Sequence, residues 1–161
     1  MAHLQGAAVT FEGSPEYWLR RNFEETFGFP EDASDWLIGL WQVIQFFDDV
    51  ADDDYCNRDD LEDALWNTLV GLPASPFFQN NFSVLLPLMS VALLKWKASD
   101  TVERDGDACA TSFVWRAGYY DIVLAVVQIV HGTQAAMEIG HTVLKLYGES
   151  LEDYMKEMTN A

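Results

Sequence analysis

Ile122-Val123-Leu124-Ala125-Val126-Val127-Gln128-Ile129-Val130 decides the fold class of this chain. Read alone, a run so rich in β-branched residues is a candidate buried strand. It sits inside a longer helical pattern without a breaker, from about Ala108 to His131, so helix is the better reading. His131-Gly132 closes that helix. A helix apolar nearly all round is a buried one, which places 108–131 near the centre of the molecule. No other segment alternates with period two for long, and no hairpin turn is flanked by such strands. The predicted class is all-α, a compact single domain of about six or seven helices.

The other elements follow from local signals. Residues 1–13 carry no periodic pattern and read as a loose segment ahead of one domain, 14–161. Ser14-Pro15 starts a first helix and Gly28-Phe29-Pro30 stops it. A second helix starts at Asp32 or Ser34 and runs to about Asp52. Asn57 or Asp59 caps a third, from Asp60 to Val70, and 71–76 breaks the chain. The apolar segment from Phe77 to about Lys97 holds Pro87, predicted to kink or divide it. Residues 100–107 read as a loop, Thr133–Tyr147 as a helix, and Leu151–Met158 as a last helix capped by Ser150. Trp and Phe residues recur at helical spacing and read as core.

The chain has 161 residues, 26 acids and 9 bases, for a net charge of −17. That charge repels phosphate backbones and anionic lipids, so no direct nucleic-acid contact and no membrane are expected. Cys56 and Cys109 form neither a CxxC pair nor a zinc spacing and read as free thiols. No secretory signal is visible at the N-terminus, and the most apolar window is too short to span a bilayer. A cytoplasmic protein is the expectation.

Two constellations could carry chemistry. The run Asp48-Asp49-Val50-Ala51-Asp52-Asp53-Asp54 crowds acids at a helix C-terminus, where the macrodipole is already negative. On a helix Asp48, Asp49 and Asp52 converge on one face, with Gln45 a turn earlier. Oxygen ligands at this spacing suit Mg²⁺, the candidate cofactor. The bland alternative is a solvated acidic helix end. The second constellation is Arg116 with Tyr120, four residues apart on the apolar central helix. A buried guanidinium needs a partner, and Asp48, Asp49 or Asp52 are the natural ones. Either alone or with a metal, Arg116 and the acids require the acidic motif to pack against that helix.

Asp48-Asp49-Val50-Ala51-Asp52 resembles the first metal motif of class I isoprenoid diphosphate synthases, over five residues only and with no second motif. A broader likeness joins Phe47–Asp52, Ala64-Leu65-Trp66, Leu72–Phe78, Leu86-Pro87-Leu88 with Trp96, Trp115–Asp121 and Ser150–Tyr154. In that order they are similar to a group of small all-α proteins of phage and prophage genomes. That resemblance implies a mobile-element origin and no established activity. Three functions remain open. One is a phage-related accessory or assembly protein, with a homodimer or a phage or host protein as partner. Another is a Mg²⁺-dependent enzyme acting on a phosphate or diphosphate ester. The third is an acidic nucleic-acid mimic that binds a basic protein.

Overall fold

The computed structural model describes residues 13–160. The loose segment expected at 1–13 therefore lies, apart from Gly13, outside the described residues. Among these residues every regular element is helical, and no strand occurs. The order is α1 (Pro15–Arg21), α2 (Glu31–Ala51), α3 (Arg58–Trp66), the single turn α4 (Leu72–Ala74), α5 (Pro76–Arg104), α6 (Ala110–Arg116), α7 (Gly118–Ile139) and α8 (Leu151–Asn160). π-helical turns extend α1 over Asn22–Thr26 and α3 over Asn67–Gly71, and a 3₁₀ segment, Gly140–Leu146, follows α7.

Capping side chains fix the helix starts. Ser14 accepts from the Tyr17 amide at 3.1 Å and Asn57 from the Asp60 amide at 2.9 Å. Ser75 accepts from the Phe78 amide at 3.4 Å. Gly28 takes φ +58°, a left-handed turn that ends the first helical unit before Pro30.

The core is built on one face each of α2 and α7. Ala33, Trp36, Leu37 and Leu40 recur at 3–4-residue spacing on α2 and are buried. Tyr119, Ile122, Val123, Val126 and Val127 do the same on α7. Phe23, Phe27 and Phe29 close one end, and Leu85 and Phe77 of α5 enter from the side.

Three expectations need correction. The 108–131 helix is two helices, because Ala117 leaves helical geometry at ψ 27°. Gly118 is the reason α7 can start there. A Cβ on Gly118 would lie 2.8 Å from the Ala92 Cβ and 2.9 Å from its Cα, so α7 touches α5 at its backbone. Nor is the stretch apolar-buried all round, since Val114, Trp115 and Leu124 are exposed. The expected break at His131-Gly132 is present: Gly132, at φ +85° and ψ 169°, leaves helical geometry and kinks α7 before it runs on to Ile139. Beyond Ile139 the expected helix tightens to 3₁₀.

The second concerns Pro87, which does not divide α5. It lies on the outer side with Ser83, so the carbonyl that loses its donor faces water. Third, α5 continues into the predicted 100–107 loop as far as Arg104. Asp100 accepts from Lys97 at 2.6 Å and from Arg104 at 2.8 Å, which ties its last turns together. Gly106, at φ +78°, then ends the run.

Candidate functional site

The acidic motif does pack against the α6–α7 junction. Between them lies a cleft of about 400 Å³, lined among others by Gln45, Asp48, Asp52, Trp96, Arg116 and Tyr120. The C-terminal turns of α2 supply the acids, and the last residues of α6 supply Arg116.

Asp48 is the acid that turns inward. Its Oδ1 accepts from the Trp96 indole at 2.9 Å, and its Oδ2 lies 3.4 Å from Arg116 Nη2. Both carboxylate oxygens thus have a donor from the protein itself. Arg116 Nη1 lies 3.6 Å from Glu103 Oε1, so the guanidinium sits between two carboxylates rather than clamping one. Loss of solvent works to lower the Arg116 pKa, but Glu103, Asp48 and Glu149 outweigh it and hold the group charged. The guanidinium carbon also lies 5.6 Å from the centre of the Tyr154 ring.

The other two acids are more exposed. Asp52 is the residue after α2, at ψ 4°, and stands at the cleft rim. Partial desolvation, then Asp48, Asp54 and Glu157, raise its pKa against the pull of Arg116. Asp49 lines the same cleft and also borders the neighbouring one that holds Cys56 and Asp60. Desolvation, then Asp54, Asp48 and Asp60, raise its pKa too. Asp48, Asp49 and Asp52 all line this cleft. Among the described residues no group of three or more His, Cys, Asp or Glu side chains is arranged to hold a metal ion. Gln45 lines the cleft. Tyr120 donates to the Leu146 carbonyl at 3.3 Å, and burial pushes its hydroxyl up to about 12.

Glu103 and Tyr154 were missed in the sequence. The Tyr154 hydroxyl lies 2.7 Å from Glu103 Oε1 and 2.6 Å from Ser112 Oγ. Ser112 also receives Ser99 on its backbone carbonyl at 3.0 Å. Tyr154 is fully buried, so this polar knot fastens α8 to α5 and α6. A signal existed: Glu103 stands 13 residues before Arg116, in a segment read as loop. Helix α5 carries it back to the cleft.

The outer face of α5 is the second site, in a segment that the sequence marks only as apolar. Its inner side buries Phe77, Leu85 and Ser99. Its outer side leaves Phe82, Val84, Leu86, Val91, Leu93 and Leu94 between 47% and 66% exposed. At 100° per residue Val84, Pro87, Val91, Leu94 and Ala98 form one exposed stripe with alternating spacings of three and four. Phe82, Leu86 and Leu93 flank its other side, separated by Ser83 and Ser90. From Pro76 to Ser99 there is no acid, although the chain carries 26. Two segments, Pro76–Arg104 and Gly118–Leu146, are long and apolar enough to cross a membrane by length and composition alone. No family model, curated protein or solved structure matches the chain, so function has to be read from this geometry.

Proposed function

We propose that this protein acts by association, as a non-catalytic accessory or assembly protein whose working surface is the outer face of α5. The carrying observation is a row of large apolar side chains left half to two-thirds exposed on a helix free of acids from Pro76 to Ser99. Contiguous apolar surface on a soluble domain marks a contact site. Covering the exposed half of each side chain is worth about 1 kcal/mol. Six of them, met by a comparable surface, give on the order of 12 kcal/mol, within the range of the roughly 4–15 kcal/mol that association costs.

The cleft supports this reading from the other side. A phosphate-binding enzyme needs an uncommitted cation or a metal. Arg116 stands between Asp48 and Glu103, and Asp48 has its oxygens engaged. The network holds the bundle together, which is a structural task. An acidic mimic would present its carboxylates outward in a row, whereas Asp48 turns in.

The test compares the wild type with Leu93→Glu/Leu94→Glu by light scattering and by fluorescence of an apolar dye. Both leucines are outside the core, so the double variant keeps its helical circular dichroism and its melting temperature. The wild type either forms a species above 18.2 kDa or, if monomeric, binds dye, and the variant does neither. A wild type that is monomeric and dye-silent, or a variant that unfolds, would contradict the proposal. So would binding of the wild type to neutral phosphatidylcholine vesicles without any protein association.

A further inference from the structure

We infer that the cleft between the end of α2, the α6–α7 junction and α8 binds an organic cation. The group it takes is a protonated amine or guanidinium, carried by a free polyamine or by a basic side chain of a partner. The inference does not rest on the outer face of α5.

Aromatic rings make this cleft more than an acidic surface. Trp41 of α2, Trp96 of α5, Tyr120 of α7 and Tyr147 beyond the 3₁₀ segment line it, each half-buried. The protein fixes them in place. Trp96 donates to Asp48, Tyr120 donates to the Leu146 carbonyl, and Tyr147 meets the Tyr120 ring edge-on at 5.2 Å. A cavity of about 400 Å³, walled by rings and holding a few convergent polar groups, has the size and make-up of a small-ligand site.

Charge sets the sign of the guest. Asp48, Asp49, Asp52, Asp54, Glu149 and Glu157 line the cleft, against Arg116 as its cation. Arg116 is shared with Glu103, so it does not balance them. The acids stand on opposing walls, Asp52 at the end of α2 and Glu157 on α8, and they repel across the space. Glu149 is half-buried beside them. Loss of solvent, with Glu157 and Asp48, holds its pKa up against the pull of Arg116. A guest cation relieves all of these contacts at once.

Geometry favours an organic cation over a metal ion. A metal needs oxygens converging at about 2.0–2.6 Å. Among the described residues no such group occurs. An ammonium or guanidinium needs only nearby carboxylates and a ring face within about 6 Å. Arg116 is the internal precedent: its guanidinium lies between two carboxylates and 5.6 Å from the centre of the Tyr154 ring.

Calorimetric titration with spermidine, and with a lysine peptide blocked at both termini, tests the site. Glu149→Gln/Glu157→Gln neutralises one wall, and Asp52→Asn repeats the test from the other with an exposed side chain. Asp105→Asn/Asp107→Asn makes the same double charge change on exposed residues outside the cleft. The wild type is expected to bind at least one probe saturably, one per chain. The Glu149/Glu157 variant, helical by circular dichroism, is expected to bind at least about tenfold more weakly. Asp52→Asn should weaken binding as well, and the Asp105/Asp107 control should bind like the wild type. Spermidine binding places the cation on a free amine, and peptide binding places it on a partner protein. Equal weakening in the control would reduce the effect to diffuse attraction by a chain of charge −17 and overturn the site. So would saturable binding of neither probe, cleft variants that bind like the wild type, or displacement of the probe by equimolar Mg²⁺.

Discussion

Replacing Arg116 by Ala removes the cation that stands between Asp48 and Glu103. The side chains of Arg116, Asp48 and Glu103 are 17%, 28% and 14% exposed, so all three charges are largely out of water. Removing one member of a buried pair costs about 3–5 kcal/mol, since a charge is left uncompensated. Exposed pairs cost about 0–1 kcal/mol. The contacts at 3.4 and 3.6 Å are long and the cleft is open on one side, which places this change between those limits, at about 2–3 kcal/mol. For a chain of this length each kcal/mol moves the melting temperature by about 2–4 °C, so a fall of roughly 5–10 °C is expected. Thermal unfolding followed by circular dichroism reads it. A double-mutant cycle with Asp48→Asn isolates the pair, and a coupling of about 1 kcal/mol or more is expected for groups in one network. A shift below about 2 °C, or strict additivity in the cycle, would show that the network contributes no stability and would refute the structural role given to Arg116.

Gly118→Ala forces a methyl against the Ala92 backbone and should cost about 1–3 kcal/mol, seen as a lower urea midpoint. Ser34→Ala removes a fully buried hydroxyl that has no hydrogen-bond partner and should raise stability by about 1 kcal/mol in the same assay. Asp52→Asn should raise the melting temperature at neutral pH. The folded pKa of Asp52 lies above its unfolded value, so its ionised form opposes folding at high pH. That penalty fades as pH falls through the raised pKa toward the unfolded value near ~3.9, and the advantage of the variant should fade with it. Mg²⁺ titrated into the wild type and into Asp49→Asn/Asp52→Asn should give the same calorimetric trace, because among the described residues no three acids are arranged to hold the ion. Saturable binding lost in the variant would restore the metal reading.

Much of the fold was legible because its signals are local. Ser14, Asn57 and Gly28 act through their own backbone neighbours, so capping and left-handed turns could be read directly. Arg116 could be assigned an acidic partner because a guanidinium on an apolar helix has few alternatives. Glu103 could not, because recognising it required knowing that α5 continues through 100–104. That continuation depends on the Lys97–Asp100–Arg104 contacts rather than on propensity. The break at Ala117 was equally hidden, since it follows from how closely Gly118 meets Ala92 across the bundle. The exposed face of α5 was not legible for a different reason. Apolar spacing of three and four residues marks a face that is covered, and it does not say whether the cover comes from the same chain. Phe77 and Leu85 are covered by the chain itself, whereas Leu93 and Leu94 are not.

The mass of the wild type in solution tests the central proposal most directly. Light scattering at rising protein concentration, with apolar-dye fluorescence beside it, should show a species above 18.2 kDa or a dye-binding monomer, and Leu93→Glu/Leu94→Glu should lose either signal without loss of helix content. A wild type that remains monomeric and binds no apolar dye, or a variant that stays as large as the wild type, would contradict it.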